Sequence, residues 1–307
     1  MLAHLDDVGP EAIERGPLRG TRWRLGRAAG ATRVGLSRYL MRPGERAMPV
    51  HVHADEEEIV VVLAGSGFSW QDGRLYPVAP GDAIVHRAGA EAHTVLAGPD
   101  DALDVLIFAS GSDTGLTWLP RGGTFWAGPR WLPADGPSPF DAEAAAGPLE
   151  LPTPEERRPA NVVALADVAA YEFGRGDVRS MWRDLPEATG NQRSGVARVT
   201  VEPGRLNAPP HCHSVEEELF VVLSGEGELL LGDAPPQPVR PWSIVARPPG
   251  TGVAHAFRAG PDGLELLAYG TREPGDACFY PRSGKVSLRG LGAIFRVEPA
   301  GYWDGEA

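Results

Sequence analysis

Two pairs of histidines are each separated by a single residue: His51 with His53, and His211 with His213. On an extended strand, side chains two positions apart point to the same face. Each pair therefore presents two imidazoles that can share one ion, and neutral imidazole is the commonest protein ligand of transition metals. This spacing predicts a metal site in each half of the chain.

An acidic triplet follows each histidine pair and offers a carboxylate to complete the site. In the first half it occupies residues 56–58. Strand alternation alone favours Glu57, whereas a turn directly after the histidines would reset the alternation and favour Glu58. The second half poses the same alternative between Glu217 and Glu218.

These residues recur because the sequence contains an internal repeat. The stretch His51–Glu58 reappears as His211–Glu218, and the Val-Val-Leu run that follows the first copy also follows the second. A later histidine, His93 or His255, precedes the same Ala-Gly-Pro-Asp turn in both halves. Self-similarity over such a length indicates a tandem duplication. Three imidazoles and one carboxylate in each copy would leave coordination positions open for water or a substrate.

The repeat also predicts how the chain is divided into domains. With 307 residues the chain is long enough for two domains of ordinary size. We expect the first domain at 1–130 and the second at 161–307, joined by a proline-rich segment at 131–160. Such a composition is typical of a connection between domains with at most one short helix.

The elements that must position the ligands are short strands. Apolar, β-branched runs at 59–64 and 219–223 end at glycine-containing turns, as buried strands do. The turn Pro80-Gly81-Asp82 precedes another such run. Long amphipathic helices are scarce, so the sequence predicts an all-β fold with few short helices and a barrel or sandwich in each half.

Composition and charge narrow the classes of partner. The formal net charge is −12 and no cluster of lysine or arginine stands out, so the charge pattern of a nucleic-acid binder is missing. No apolar run is long enough to cross a bilayer, and the two cysteines, Cys212 and Cys278, are too few for a disulfide framework. No secretory signal or transit peptide is apparent, so we expect a cytoplasmic protein that binds neither nucleic acid nor membrane.

The first histidine motif resembles that of the cupin superfamily, which reads roughly G-x5-H-x-H-x3–4-E-x6-G. Gly65 and Gly225 occupy the position of the last glycine in the two halves. Counting back from them with the family's spacing selects Glu58 and Glu218 as the carboxylate ligands.

The second cupin motif, roughly G-x5-P-x-G-x2-H, is matched more loosely. Arg87 stands where the motif has proline, and Pro241 stands where it has glycine. His93 and His255 are the histidines that fit its end. The resemblance therefore implies that the loop before this histidine differs in shape between the halves.

The resemblance spans about 33–123 and 193–284. It implies two tandem cupin β-barrels, of the double-stranded β-helix or jelly-roll type, with a metal inside each barrel mouth. It also implies one or two divalent ions per chain, Fe, Mn, Ni or Zn. The ligands would be His51, His53, Glu58 and His93 in one half, and His211, His213, Glu218 and His255 in the other.

Cupins with intact metal sites include dioxygenases and decarboxylases. The resemblance thus implies an enzyme that acts on a small oxygen-rich organic substrate by a dioxygenase-, decarboxylase- or isomerase-like reaction. Glu57 and Glu217 are candidates for an acid or base beside the metal. Two alternatives stay open: a non-catalytic module that binds a small molecule or sugar around structural metals, and an enzyme with only one catalytic half. A homodimer formed through barrel edges is a further expectation.

Overall fold

The structure is a computed structural model of the chain. It describes residues 1–111, 115–127, 130–132, 138–190 and 193–306. Strands dominate the described residues and the helices are short, so the prediction of an all-β fold is confirmed. None of the described helices has the length and apolar character needed to cross a membrane.

The first half of the chain contains the strands β1 Leu2–His4, β2 Glu11–Arg15, β3 Leu18–Trp23, β4 Gly35–Met41, β5 Val52–His53, β6 Glu58–Gly65, β7 Gly67–Gln71, β8 Arg74–Val78, β9 Asp82–His86, β10 His93–Ala97, β11 Leu103–Ala109, β12 Leu116–Leu119, β13 Thr124–Ala127 and β14 Arg130–Leu132. The second half contains β15 Val162–Ala164, β16 Ala170–Arg175, β17 Val178–Asp184, β18 Ser194–Val201, β19 Cys212–His213, β20 Glu218–Leu231, β21 Gln237–Val239, β22 Ser243–Arg247, β23 His255–Thr271, β24 Ala277–Tyr280, β25 Lys285–Leu288 and β26 Ala293–Arg296. The α-helices are α1 Leu25–Ala28, α2 Pro139–Ala145 and α3 Leu185–Thr189, and single 3-10 turns cover Leu5–Asp7 and Arg289–Leu291.

The N-terminal half is built from antiparallel sheets that enclose a core. A sheet with the order β15-β9-β6-β11-β4-β3-β2 packs against a small sheet with the order β10-β7-β8. Val60, Val62 and Val105 of the large sheet belong to the same hydrophobic cluster as Val78 and Val95 of the small one. A third sheet, β14-β13-β12-β5, borders the open end of this barrel.

The C-terminal half repeats the plan with longer strands. Its main sheet has the order β1-β22-β20-β23-β18-β17-β16, and β19-β24-β25-β26 corresponds to the third sheet of the first half. β20 and β23 are each one long continuous strand. In the first half, the stretch that corresponds to β20 is divided into β6 and β7 after Gly65. Gly65 has a φ of 78°, and a Cβ there would lie 1.6 Å from the carbonyl oxygen of Ala102. Only glycine allows this close approach of two backbones.

The two halves exchange short strands. β1 pairs with β22 of the second half, and β15, at the start of the second half, pairs with β9 of the first. The domain bounds 1–130 and 161–307 stay a prediction. Both strand pairings join residues on opposite sides of the connecting segment. The expected short helix of the connecting segment is α2. Pro133 and Pro137 of that segment lie outside the described residues.

A shared hydrophobic core joins the halves. Buried residues of β6, β9 and β11 form one cluster with buried residues of β20, β22 and β23. At its centre the rings of Phe108 and Tyr269 stack, with centroids 5.1 Å apart. Because burial of one large apolar side chain contributes about 1.5–3 kcal/mol, the halves stabilise each other.

Candidate metal centres

Three separate elements bring the predicted N-terminal ligands together. His51 pairs with His93 through a backbone bridge at the start of β10. His53 lies on β5, and Glu58 begins β6. One donor atom from each of these four side chains lies within 4.8 Å of the other three. The chain thus assembles the predicted quartet around one point.

A bend at residues 54–55, between β5 and β6, decides which glutamate faces the histidines. The bend interrupts the alternation of the strand, so Glu58 and not Glu57 turns inward. Glu58 Oε1 lies 3.5 Å from Nε2 of His93, and Oε2 lies 3.6 Å from Nε2 of His53. The choice made from the cupin spacing agrees with this geometry.

Hydrogen bonds to Nδ1 fix the orientation of the imidazoles. His51 Nδ1 donates to the carbonyl oxygen of Pro49, and His93 Nδ1 to that of Glu91, both at 3.0 Å. Because a carbonyl only accepts, Nδ1 carries the proton in both rings and Nε2 presents its lone pair. Nδ1 of His53 lies 3.0 Å from the hydroxyl of Thr117.

Several inward-facing atoms have no hydrogen-bond partner within the described part of the chain. They are Nε2 of His53, Nε2 of His93 and Oε1 of Glu58. Leaving a buried polar atom unpaired costs about 1–3 kcal/mol. The carboxylate and the imidazoles are 3.5–3.8 Å apart, which is too far for a good hydrogen bond but matches ligands that each lie about 2.0–2.2 Å from a shared ion. These residues fit a divalent metal.

The protonation states suit the same role. Burial alone would raise the pKa of Glu58, but the three imidazoles outweigh it and hold this pKa well below its usual value. Burial, together with the neighbouring His86 and His51, lowers the pKa of His93 to about 3. The site therefore offers a carboxylate anion and a neutral imidazole, the forms that bind metals.

His86 extends this cluster. Its ring stacks on His93 with the centroids 3.7 Å apart, and its Nδ1 donates to the carboxylate of Glu91 at 2.6 Å. The register of β6 with β9 places His86 opposite Glu58. Local spacing gives no signal for this residue, because its position depends on the pairing of strands that are distant in sequence.

The C-terminal ligands lie on the equivalent elements and meet around Glu218. Its Oε2 lies 3.1 Å from Nε2 of His255, 3.6 Å from Nε2 of His213 and 3.9 Å from Nε2 of His211. Among the residues described here, the donor atoms form three overlapping groups: His211 with Glu218 and His255, His211 with His213 and Cys278, and His213 with Glu216 and Asp276. The second centre is thus less symmetric than the first.

Asp276 distinguishes the C-terminal centre. Its carboxylate accepts a hydrogen bond from Nδ1 of His213 at 2.7 Å, where the first half has the hydroxyl of Thr117. Burial opposes a charge on His213, but Asp276 and Cys278 raise its pKa to about 11. Burial would likewise raise the pKa of Asp276, yet the bond to His213 lowers it to about 2. By contrast, burial lowers the pKa of His255 to about 4 against the opposing effect of Glu218.

Glu57 and Glu217, predicted as acids or bases beside the metals, lie at the contact between the halves. Glu57 accepts hydrogen bonds from the backbone N–H groups of Arg193 and Ser194 at 3.1 and 2.9 Å. Glu217 accepts three from the loop at 32–34, at 2.6–3.1 Å. Each carboxylate therefore holds the backbone of the opposite half. This placement favours a structural role for both over the predicted catalytic one.

The two centres open into cavities of different size. The first borders a cavity of about 470 Å³ whose lining combines His51, His53 and Glu58 with Arg22, Arg24, Tyr39 and apolar side chains. The second borders a cavity of about 150 Å³. Small-molecule sites usually measure about 300–1,000 Å³, so only the first cavity has the size of an organic ligand site.

The comparisons with known proteins agree with this architecture. A sequence profile described as the cupin domain matches residues 37–108 and again residues 197–268. No curated protein matches the chain in sequence.

Several solved structures share the fold. Oxalate decarboxylase from Bacillus subtilis at pH 4.6 is 16% identical with a TM-score of 0.58, and the match covers 89% of this chain and 76% of that one. The formate complex of Lactobacillus farciminis oxalate decarboxylase is 18% identical with a TM-score of 0.61, covering 89% and 86%. A structure concerned with the Mn(II) centres of the Bacillus subtilis enzyme is 17% identical with a TM-score of 0.57, covering 90% and 78%.

At these identities the likeness concerns the fold. The cupin profile falls on both copies of the internal repeat, and each copy carries its own set of histidine and glutamate metal-binding groups. The chain is therefore a two-domain member of the cupin superfamily, a bicupin.

Proposed function

We propose that this bicupin is a metal-dependent enzyme and that its N-terminal centre acts on a small, oxygen-rich organic anion. One observation carries the proposal: four clustered donor side chains, three of them with unpaired inward-facing atoms, lie at a cavity large enough for such a molecule. His51, His53, Glu58 and His93 would hold the ion. A bound divalent ion, Fe, Mn, Ni or Zn, would supply Lewis-acid chemistry, or oxygen activation if it is redox-active.

The charge of the cavity supports an anionic substrate. Arg22 and Arg24 both donate to the single carboxylate of Glu11, at 2.6 and 2.8 Å. One carboxylate cannot neutralise two guanidinium groups, so positive charge remains beside the metal position. A substrate carboxylate or enolate would bind there and be oriented by Arg22.

The apolar walls and Tyr39 define the rest of the substrate site. Met48, Leu119 and Trp126 line the cavity, and they would exclude water from the bound substrate and accept an apolar part of it. Burial raises the pKa of Tyr39, against the opposing effect of Arg22. Its hydroxyl therefore keeps its proton and would hold that proton near the substrate.

The reaction type is proposed from the similar solved structures together with the shape of the cavity. The similar solved structures are oxalate decarboxylases, which makes a decarboxylase-like reaction the first to test, ahead of the dioxygenase-like and isomerase-like alternatives. The cavity, with its apolar walls, favours a substrate larger than oxalate. We further propose that the C-terminal ligands hold a second ion in a mainly supporting role.

Turnover assays would test the proposal. Protein loaded separately with Mn(II) and Fe(II) would be offered small keto acids, enols, diketones and aromatic acids, while CO2 release and oxygen uptake are recorded. We expect turnover of an anionic substrate that is lost in a His51→Ala/His53→Ala variant with unchanged folding. Absence of turnover throughout would contradict the proposal, and loss of folding in the metal-free variant would favour a structural metal site.

A further inference from the structure

Cys278 occupies a position from which its thiol faces the C-terminal centre. In the pairing of β19 with β24, Cys278 lies directly opposite His213. Residues opposite each other in an antiparallel pair project to the same face, with Cβ atoms about 4.5–5.5 Å apart. Because His213 points to the centre, Cys278 does so too. The equivalent pair of the first half is His53 with Thr117.

The contacts of the thiol agree with this register. One donor atom each of Cys278, His211 and His213 lie within 4.8 Å of one another. The side chain of Cys278 is 7% exposed. The ring of Tyr280 packs beside that of His211, with centroids 5.7 Å apart.

Unpaired ligand atoms at the same centre independently indicate an ion. The imidazole of His255 is 2% exposed, and its Nε2 makes no hydrogen bond of good geometry within the described residues, although Oε2 of Glu218 lies 3.1 Å away. The same holds for Oε2 of Glu218, which lies 3.6 Å from Nε2 of His213. Glu218 thus lies on the Nε2 side of His213, whereas Asp276 lies on its Nδ1 side.

We infer that Cys278 is an additional metal ligand of the C-terminal centre, as a thiolate that shares the ion with His211 and His213. The inference rests on the second ion of the proposed function. Binding would release the thiol proton to solvent. Thiolate and imidazole favour Zn(II) and Co(II), whereas a carboxylate-imidazole set also accepts Mn(II). The two centres of one chain would then select different metals.

Cobalt spectroscopy of the full chain tests this assignment. Co(II) bound by a thiolate gives a near-ultraviolet sulfur-to-metal charge-transfer band that histidine and glutamate ligands do not give. We expect the band in the wild type, its loss in Cys278→Ser, and its retention in Cys212→Ser. Cys212 is the matched control because it pairs with Phe279 on the opposite face of the same two strands.

Affinity measurements and a ligand variant make each outcome decisive. We expect Cys278→Ser to weaken Co(II) binding at this centre by more than about tenfold, since even outer partners of metal ligands contribute 10–100-fold. The visible bands of Co(II) at the N-terminal centre would report that the variant is folded. If the wild type binds two Co(II) ions but shows no charge-transfer band, the role of Cys278 is overturned and the second metal centre stands. If it binds only one Co(II) ion, and His213→Ala does not change that binding, the second metal centre is overturned together with the role of Cys278.

Discussion

The N-terminal and C-terminal centres carry the same four ligand types in the same order, yet they differ in their surroundings. Beside the second histidine the first half has Thr117 and the second half has Asp276 and Cys278. The first centre borders a cavity of about 470 Å³ and the second one of about 150 Å³. The comparison teaches that the short motif supplies the ligands, while β12 in the first half, and β24 with the residue before it in the second, differentiate the sites.

Removing the carboxylate ligand should give the largest difference in activity between variants of the two centres. We expect Glu58→Gln to lower kcat/KM by about 100-fold or more, because losing a ligand should exceed the 10–100-fold typical of outer partners. The matched Glu218→Gln variant should keep activity within about threefold, because its centre borders a cavity too small for the substrate. Steady-state kinetics of both variants measure this, and equal losses would break the comparison.

The partners of the second histidine should differ in their effect on metal affinity. Asp276→Asn should weaken metal binding at the C-terminal centre by about 10–100-fold, because a carboxylate that holds a ligand histidine makes it more basic. Thr117→Val should have a smaller effect at the N-terminal centre, since it removes a neutral hydroxyl. Competition with a chelator measures both affinities, and a larger effect of Thr117→Val would contradict this account.

The interface glutamates should respond alike, because they make similar contacts in opposite directions. Glu57→Gln and Glu217→Gln should each lower the free energy of unfolding by about 1–3 kcal/mol, since each weakens a buried acceptor of backbone N–H groups. Activity of the remaining folded protein should be little changed. Urea denaturation with and without metal checks this. A large loss of activity without loss of stability would restore the catalytic role first predicted for these residues.

The smallest predicted effect is on how the stability of the metal-free chain depends on pH, and it arises in the C-terminal half. The raised pKa of His213, about 11, means that its contribution to stability is complete below about pH 6.5 and declines as the pH rises towards 11. Asp276→Asn removes the main cause of this shift. We therefore expect the variant to lose less stability than the wild type between pH 7 and about 9, as measured by urea denaturation with chelator present. If the free energy of unfolding of Asp276→Asn fell as steeply with pH as that of the wild type, Asp276 would not be the cause of the raised pKa.

Much of the ligand set was predictable because it is local in sequence. The spacing to Gly65 selected Glu58 over Glu57, and the bend at 54–55 supplies the physical reason. The all-β fold followed from the apolar runs and their turns. The metal identity, the cytoplasmic location and the homodimer stay predictions.

The residues that were missed owe their positions to contacts between distant segments. His86 reaches the first centre through the pairing of β9 with β6, and Cys278 reaches the second through the pairing of β24 with β19. Glu57 and Glu217 were named from the sequence, but their bonds to backbone N–H groups of the opposite half were missed for the same reason. Spacing within one repeat carries no information about such partners, so the sequence could place these side chains on a strand or loop but not against each other.

The central claim is that the N-terminal quartet holds the catalytic ion. Anomalous X-ray diffraction from crystals of the Mn(II)-loaded chain tests it most directly. We predict an ion within bonding distance of Nε2 of His51, His53 and His93 and of a carboxylate oxygen of Glu58, next to the cavity bordered by Arg22. An ion bound elsewhere, or none at this position under saturating Mn(II), would contradict the account.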